Sequence, residues 1–124
     1  MNGKMILTEL TISYDHEGDM LEVLFEKPIV DEQAFELGFG IILFVNPHTG
    51  KPINLTILDY KRLLQMDKVP LDKLKEMPMK QWRKACDLIS SKPISNFLMW
   101  IDDPRLKQPH VRILNPAVQE LLAA

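Results

Sequence analysis

The chain has 124 residues, a formal net charge of −2, 46% hydrophobic residues and 26% charged residues. These values predict one globular domain, residues 1–124, and they exclude a disordered chain and most two-domain enzymes. The single cysteine, Cys86, excludes an internal disulfide and favours a reducing compartment, so we expect a cytoplasmic protein. The longest apolar run, Ile41–Val45, is far shorter than the about 20 residues of a bilayer span. Residues 1–10 lack the pattern of a signal peptide, and we expect no membrane partner.

The first half of the chain predicts β-structure. Three stretches alternate apolar and polar residues, as half-buried strands do: 10–14, 21–25 and 53–58. A nearly continuous apolar stretch, 39–45, predicts a central strand that is covered on both faces. Because short turn-rich segments join these stretches, we predict a four-stranded antiparallel meander.

The second half is predicted to cover this sheet. Apolar residues on the second sheet face require such a cover, and they are Leu24, Ile42, Phe44 and Leu58. Helical spacing predicts two helices, one with Leu71, Leu74 and Met77 after Pro70, the other with Met79, Trp82, Cys86 and Ile89 before Pro93. Residues 94–101 fit a helix or a strand, 111–114 predict a short strand, and 115–122 predict a final helix. The sequence therefore predicts an α+β fold, with a sheet over about 10–64 and a mainly helical extension over 65–124.

Three short motifs within residues 10–64 resemble a known family. They are Tyr14-Asp15 followed by Asp19 and Leu21-Glu22-Val23, then Gly40-Ile41-Ile42-Leu43, then Gly50, Pro52-Ile53 and Ile57-Leu58-Asp59. In type, order and spacing they are similar to the short bacterial proteins known as domain of unknown function 2283. Met20 and Tyr60 depart from the family pattern, which has a small residue and alanine there, and the extension over 65–124 is additional.

This resemblance implies a small β-rich fold without an assigned activity. Members of the family are thought of as components of small bacterial operons, some beside candidate toxin genes, so the resemblance implies by analogy an antitoxin-like role. The family offers no catalytic residues to transfer.

Sequence motifs for catalysis and metal binding are incomplete. The loop 45–51 fails the phosphate-loop pattern, and Pro52 lacks the amide that a phosphate would need. The three histidines stand far apart without ligand spacing, and Cys86 lies on an apolar helical stripe as a buried residue would. We therefore predict no cofactor and no metal, and the sequence favours a non-enzymatic protein over an enzyme.

Two groups of residues are candidates for a binding role. The polar residues nearest to a site between sheet and helices are Asp15, Asp19, Asp59 and Tyr60, and they support an alternative hypothesis of a small ligand-binding protein or enzyme. The aromatic pair Phe97 and Trp100 fits either a protein interface or the core.

Charge differs between the two halves of the chain. Residues 1–66 carry five basic against ten acidic side chains, and residues 67–124 carry ten against seven. The positive excess of the second half is too small to predict nucleic-acid binding, which stays a third hypothesis through Lys73, Lys80, Arg83 and Lys84. Our leading prediction is a non-catalytic protein that acts through protein contacts, as a homodimer or with a small protein partner.

Overall fold

The structure, a computed structural model, describes residues 2–7 and 10–114, and of residues 2–7 it describes the backbone. Six strands form the main sheet: β1 (Asn2–Leu7), β2 (Leu10–Asp15), β3 (Met20–Leu24), β4 (Gln33–Gly38), β5 (Ile41–Val45) and β6 (Pro52–Leu58). All neighbours are antiparallel, and the strand order is β1-β2-β3-β6-β5-β4.

The α+β class and the antiparallel sheet are confirmed, but the four-stranded meander is wrong. Five strands, β2–β6, form the body of the sheet, and β1 pairs with the outer side of β2. Strand β6, which follows β4 and β5 in sequence, pairs with both β3 and β5, and in this central position it is buried on both faces over most of its length. The predicted strand 39–45 begins only at Ile41, since Phe39 and Gly40 form the turn after β4 with φ of 50° and 77°.

One face of this sheet forms the core. Cross-strand neighbours on this face are fully buried: Ile12, Val23, Leu55 and Leu43 in one row, and Tyr14, Leu21, Ile57 and Ile41 in the next. The alternation that predicted β2, β3 and β6 therefore has its origin in this buried face.

The second half contains less helix than predicted. Its elements are α1 (Tyr60–Leu64), β7 (Val69–Pro70), α2 (Met79–Ser90), β8 (Leu98–Ile101) and β9 (His110–Ile113), with single 3₁₀ turns at Leu74–Glu76 and Ile94–Asn96. Strands β7, β9 and β8 form a second antiparallel sheet in that order.

The outcomes for the predicted elements of this half differ. The helix predicted after Pro70 is wrong, because Pro70 pairs with His110 in the small sheet and only one 3₁₀ turn follows. The second helix is confirmed as α2, which ends before Pro93. Residues 94–101 contain a turn and then a strand, and the strand predicted at 111–114 is β9. The helix predicted for 115–122 lies outside the described residues.

The second half covers the core face, not the face that was predicted to need the cover. Buried residues of α2 and β8, such as Ala85, Ile89 and Leu98, belong to the same hydrophobic cluster as Leu43 and Leu55. On the opposite face three of the four apolar residues are half-buried, and Leu58 is 40% exposed. Among the described residues, no helix combines the length and the apolar character that crossing a lipid bilayer requires.

Candidate functional site

Asp19, in the turn between β2 and β3, is the centre of a closed polar cluster. The Tyr14 hydroxyl donates a 2.5 Å hydrogen bond to Asp19 Oδ1, and the Lys61 amide donates to both carboxylate oxygens at 3.1 and 3.2 Å. The Tyr60 amide donates to the Asp19 carbonyl oxygen at 3.0 Å. These amides open α1 and have no partner inside the helix, so Asp19 caps α1 from the neighbouring hairpin. We call Tyr14, Asp19, Tyr60 and Lys61 the Asp19 cluster.

The four predicted polar residues lie at one end of the sheet, where β2, β3 and β6 are neighbours. Asp19 and Tyr60 are in direct contact, as described above. Asp15 Oδ1 accepts a hydrogen bond from the Glu17 amide at 3.1 Å, and Asp59 Oδ2 lies 3.3 Å from Arg62 Nη2. Each of the three carboxylates is thus engaged by its own surroundings, and a ligand-binding role for this group stays a prediction.

The two tyrosines of the Asp19 cluster are buried, with 1% of Tyr14 and none of Tyr60 exposed. Their ring centroids are 6.1 Å apart. Burial raises the pKa of both phenols above the ordinary value, and the hydrogen bond to Asp19 and its charge raise that of Tyr14 further. Among the described residues the Tyr60 hydroxyl has no hydrogen-bond partner. Both phenols are therefore protonated at neutral pH and do not serve as bases there.

The aromatic pair and the cysteine belong largely to the interior. Phe97 is 2% exposed, and its ring centroid lies 5.9 Å from that of Phe25. Trp100 is half-buried against the core, so an interface role for the pair stays a prediction. Burial, followed by the charge of Asp87, raises the pKa of the Cys86 thiol. A raised pKa leaves little thiolate at neutral pH and makes Cys86 a weak nucleophile.

Two basic residues of the nucleic-acid hypothesis, Lys73 and Lys84, lie beside different parts of the chain. Lys73 Nζ lies 3.4 Å from Glu76 Oε2. The Lys84 amino group lies over Gly50 in the turn between β5 and β6, 3.4 Å from where a Cβ would stand. Within residues 10–114, no three histidine, cysteine, aspartate or glutamate side chains form a group that could hold a metal ion.

A cavity of about 330 Å³ lies where the start of α2 faces the loop before β9. We call it the lysine-flanked groove, and its lining residues are Lys75, Met77, Met79, Trp82, Lys107, Gln108 and Pro109. Met79, the first residue of the amphipathic helix α2, is 64% exposed. The helical spacing of Met79 and Trp82 predicted one apolar face of the helix. The exposure of Met79 shows that this face is uncovered where α2 begins.

Hydrogen bonds order each wall of the groove separately. The Leu71 amide donates a 2.9 Å hydrogen bond to the Pro109 carbonyl oxygen, next to the pairing of β7 with β9. His110 Nδ1 lies 2.8 Å from the Gln108 carbonyl oxygen. Since a carbonyl oxygen only accepts, this nitrogen carries the proton. On the other wall the Trp82 amide donates to the Pro78 carbonyl oxygen at 2.9 Å and opens α2. Each wall of the groove is therefore anchored to a regular element, one to the small sheet and the other to α2.

The charge of the groove is positive. Lys75 and Lys107 are both exposed, and neither has a carboxylate partner among the described residues. The nearby loop does contain Asp103, but Arg105 Nη2 lies 3.0 Å and Lys68 Nζ 3.7 Å from its Oδ2. The hydrogen bonds from Arg105 lower the pKa of Asp103, so its charge is retained and is already matched. Neither Asp103 nor another described carboxylate therefore pairs with Lys75 or Lys107.

A second cavity, of about 350 Å³, lies beside the outer edge of β4. We call it the edge cavity, and its lining residues are Ala34, Phe35, Glu36, Lys73, Glu76, Met77, Pro78 and Gln81. Met77 lines both cavities, so the edge cavity and the lysine-flanked groove meet at this residue. None of the four predicted polar residues lines either one.

Comparison of the chain with protein-family models, with curated proteins and with solved structures finds no match. The resemblance to domain of unknown function 2283 therefore stays a prediction, and the functional argument depends on the geometry of the chain.

Proposed function

We propose that this protein is a non-catalytic binding protein, and that the lysine-flanked groove holds an apolar side chain of a protein partner with carboxylates beside it. The observation that carries the proposal is an exposed Met79 beside a half-buried Trp82, in a groove flanked by two lysines that have no described partner. Methionine adapts to varied shapes, and tryptophan is enriched where interfaces concentrate their binding energy.

A protein segment fits this groove better than a nucleic acid does. The groove is lined mainly by apolar side chains, and only Lys75 and Lys107 carry charge there. Binding to a phosphate backbone gains its affinity from many cations, whereas an apolar anchor with flanking carboxylates needs only a few. An antitoxin-like protein with a small partner, which the family resemblance implies, is one form of this proposal.

The test is a selection from a displayed library of random short peptides on the immobilised protein. We expect enriched peptides with Asp or Glu next to a large apolar residue. The double variant Lys75→Glu, Lys107→Glu should bind them at least about tenfold more weakly, a change of about 1.4 kcal/mol in binding free energy. Met79→Ser, at an exposed position, should also weaken binding without affecting folding.

The matched control is Lys27→Glu, Lys51→Glu, which makes the same change in net charge at two exposed positions outside the groove. Equal loss of binding in both double variants would indicate general electrostatics and contradict the proposal. Retention of duplex DNA on a filter, lost in the groove variant alone, would make the groove a nucleic-acid surface and would also contradict it.

The homodimer predicted from the sequence is a separate proposal. Size-exclusion chromatography with light scattering at micromolar concentration tests it directly. We expect a dimer, and a strict monomer at all salt concentrations would count against it.

A further inference from the structure

Strand β4 is the edge of the main sheet and leaves part of its backbone unpaired. On its inner side β4 pairs with β5. On its outer side the Leu37 carbonyl oxygen accepts a 3.2 Å hydrogen bond from the Lys73 amide. Within the described residues, the outer side of residues 33–36 has no backbone partner. An unpaired strand edge of this kind is a template for another strand.

The edge cavity lies along this unpaired stretch. Strand β4 forms one side of it, and Met77, Pro78 and Gln81 form the opposite side. Met77 lines the lysine-flanked groove as well, so the two cavities lie on either side of this residue. A strand rises about 3.3 Å per residue, so an extended segment of a few residues that crosses Met77 would contact both cavities.

We infer that the partner segment held in the lysine-flanked groove continues as an extended strand along the outer edge of β4. This inference rests on the proposed function and specifies how the partner binds. Strand addition supplies affinity through main-chain hydrogen bonds, while the groove reads the side chains.

The shape of the edge favours a lone segment over a second copy of this chain. The wall at Met77 and Pro78 stands beside the strand and is tied to it by the hydrogen bond from Lys73 to Leu37. Pairing of β4 with β4 of a second copy would bring two such walls into the same space. An extended segment without a domain beside it avoids this clash.

The charges at the two cavities indicate where acidic residues of the bound segment should lie. The edge cavity contains Glu36 and Glu76, and Lys73 is already 3.4 Å from Glu76. Carboxylates of a partner are therefore disfavoured beside β4 and favoured beside Lys75 and Lys107. The segment should have uncharged or basic residues on the strand part and an apolar residue with carboxylates at the groove.

The experiment uses the peptides selected from the random library, synthesised with single N-methyl groups along the backbone. N-methylation removes an amide donor and leaves the side chain in place. In the uncharged part, methylation at alternate positions should weaken binding about tenfold, because the amides there pair with β4. Methylation at the positions between them, whose amides point away from β4, should have a smaller effect and is the matched control.

The outcomes separate this inference from the proposed function. Binding that depends on Lys75 and Lys107 but not on backbone methylation, or a bound peptide with the circular dichroism of a helix, would overturn strand addition alone. A dimer that the peptides dissociate would make the edge an interface between copies and would overturn it as well. Failure to enrich any peptide, or binding that ignores the groove lysines, would overturn both proposals.

Discussion

The Asp19 cluster and the lysine-flanked groove differ in how their polar groups are paired. In the cluster, Asp19 accepts hydrogen bonds from the Tyr14 hydroxyl and from two backbone amides. In the groove, Met79 is exposed and two lysines have no described partner. The difference between them is that hydrogen bonds to neighbouring groups account for Asp19, whereas no described contact accounts for the exposed Met79 and the two lysines, which is why our proposal is placed at the groove.

The largest effect is expected where the wall of the edge cavity touches β4. In Gly38→Ala, the new Cβ would stand 2.3 Å from Asp72 Oδ1 and 2.7 Å from its backbone nitrogen, at a φ of 130°. Both the contact and the backbone strain oppose the substitution, and we expect a loss of about 3 kcal/mol in the free energy of unfolding. Denaturant titration measures this loss.

The control for Gly38 is Gly18→Ala. Its Cβ would meet only the end of the Asp15 side chain, at 3.0 Å, and its φ is not left-handed. We expect a change within about 1 kcal/mol of zero. Equal stability of the two variants would show that the wall can move, and the groove would then not be a fixed feature of the scaffold.

A pair of tyrosine variants compares a hydrogen-bonded hydroxyl with a hydroxyl that has no described partner in the Asp19 cluster. Tyr14→Phe removes a hydrogen bond to a carboxylate, and we expect a loss of about 2 kcal/mol in the free energy of unfolding. Tyr60→Phe removes a buried hydroxyl without a described partner, and we expect a change within about 1 kcal/mol of zero. A larger loss for Tyr60 than for Tyr14, measured by thermal unfolding, would contradict the description of the cluster.

The pH dependence of stability tests the burial of the two tyrosines independently. The pKa of each tyrosine is raised in the folded state, so the unfolded chain releases these protons first. Their contribution is complete below the ordinary tyrosine pKa of about 10 and is lost as the pH rises further. Since Tyr14 and Tyr60 are the 2 tyrosines of the chain, phenolate absorbance should appear together with unfolding. Ionisation of either tyrosine in the folded protein near its ordinary pKa would contradict this.

The smallest effect is expected at Cys86, between the core and the surface of α2. Its raised pKa predicts slower reaction with a disulfide reagent at neutral pH than an unstructured cysteine peptide shows. The rate should increase with pH over a range above the ordinary thiol pKa of about 8.5. Reaction at the peptide's rate in the folded protein would indicate an activated thiol instead.

The sequence predicted the parts of the fold that local periodicity determines. Alternation at Ile12 and Tyr14, and at Leu21 and Val23, located β2 and β3 because each strand has one buried face. Strand β4 was missed because only Glu36 interrupts its buried residues Phe35 and Leu37, while Ala34 and Gly38 on either side leave the alternation short. The insertion of β6 between β3 and β5 depends on pairing between distant segments, which no local pattern contains.

The proposed binding surface was less predictable than the sheet. Asp19 and Tyr60 were singled out as polar candidates for a site between sheet and helices, and the structure joins them through the Tyr60 amide and the Asp19 carbonyl oxygen. The Asp19 carboxylate is engaged by Tyr14 and the Lys61 amide, whereas the Tyr60 hydroxyl has no described partner. Helical spacing placed Trp82 in the core, and it does not indicate which end of a helix is uncovered. Lys107 lies far along the chain from Lys75, and only the small sheet brings its loop to the start of α2.

The most direct test of the account is one anisotropy titration of a labelled, selected peptide against two variants. Asp19→Ala should lower the free energy of unfolding by about 2 kcal/mol and leave the Kd unchanged where the variant is folded. Lys75→Glu, Lys107→Glu should keep the unfolding midpoint and raise the Kd at least about tenfold. An unchanged Kd in the lysine variant, or a raised Kd in folded Asp19→Ala, would contradict the assignment of binding to the groove.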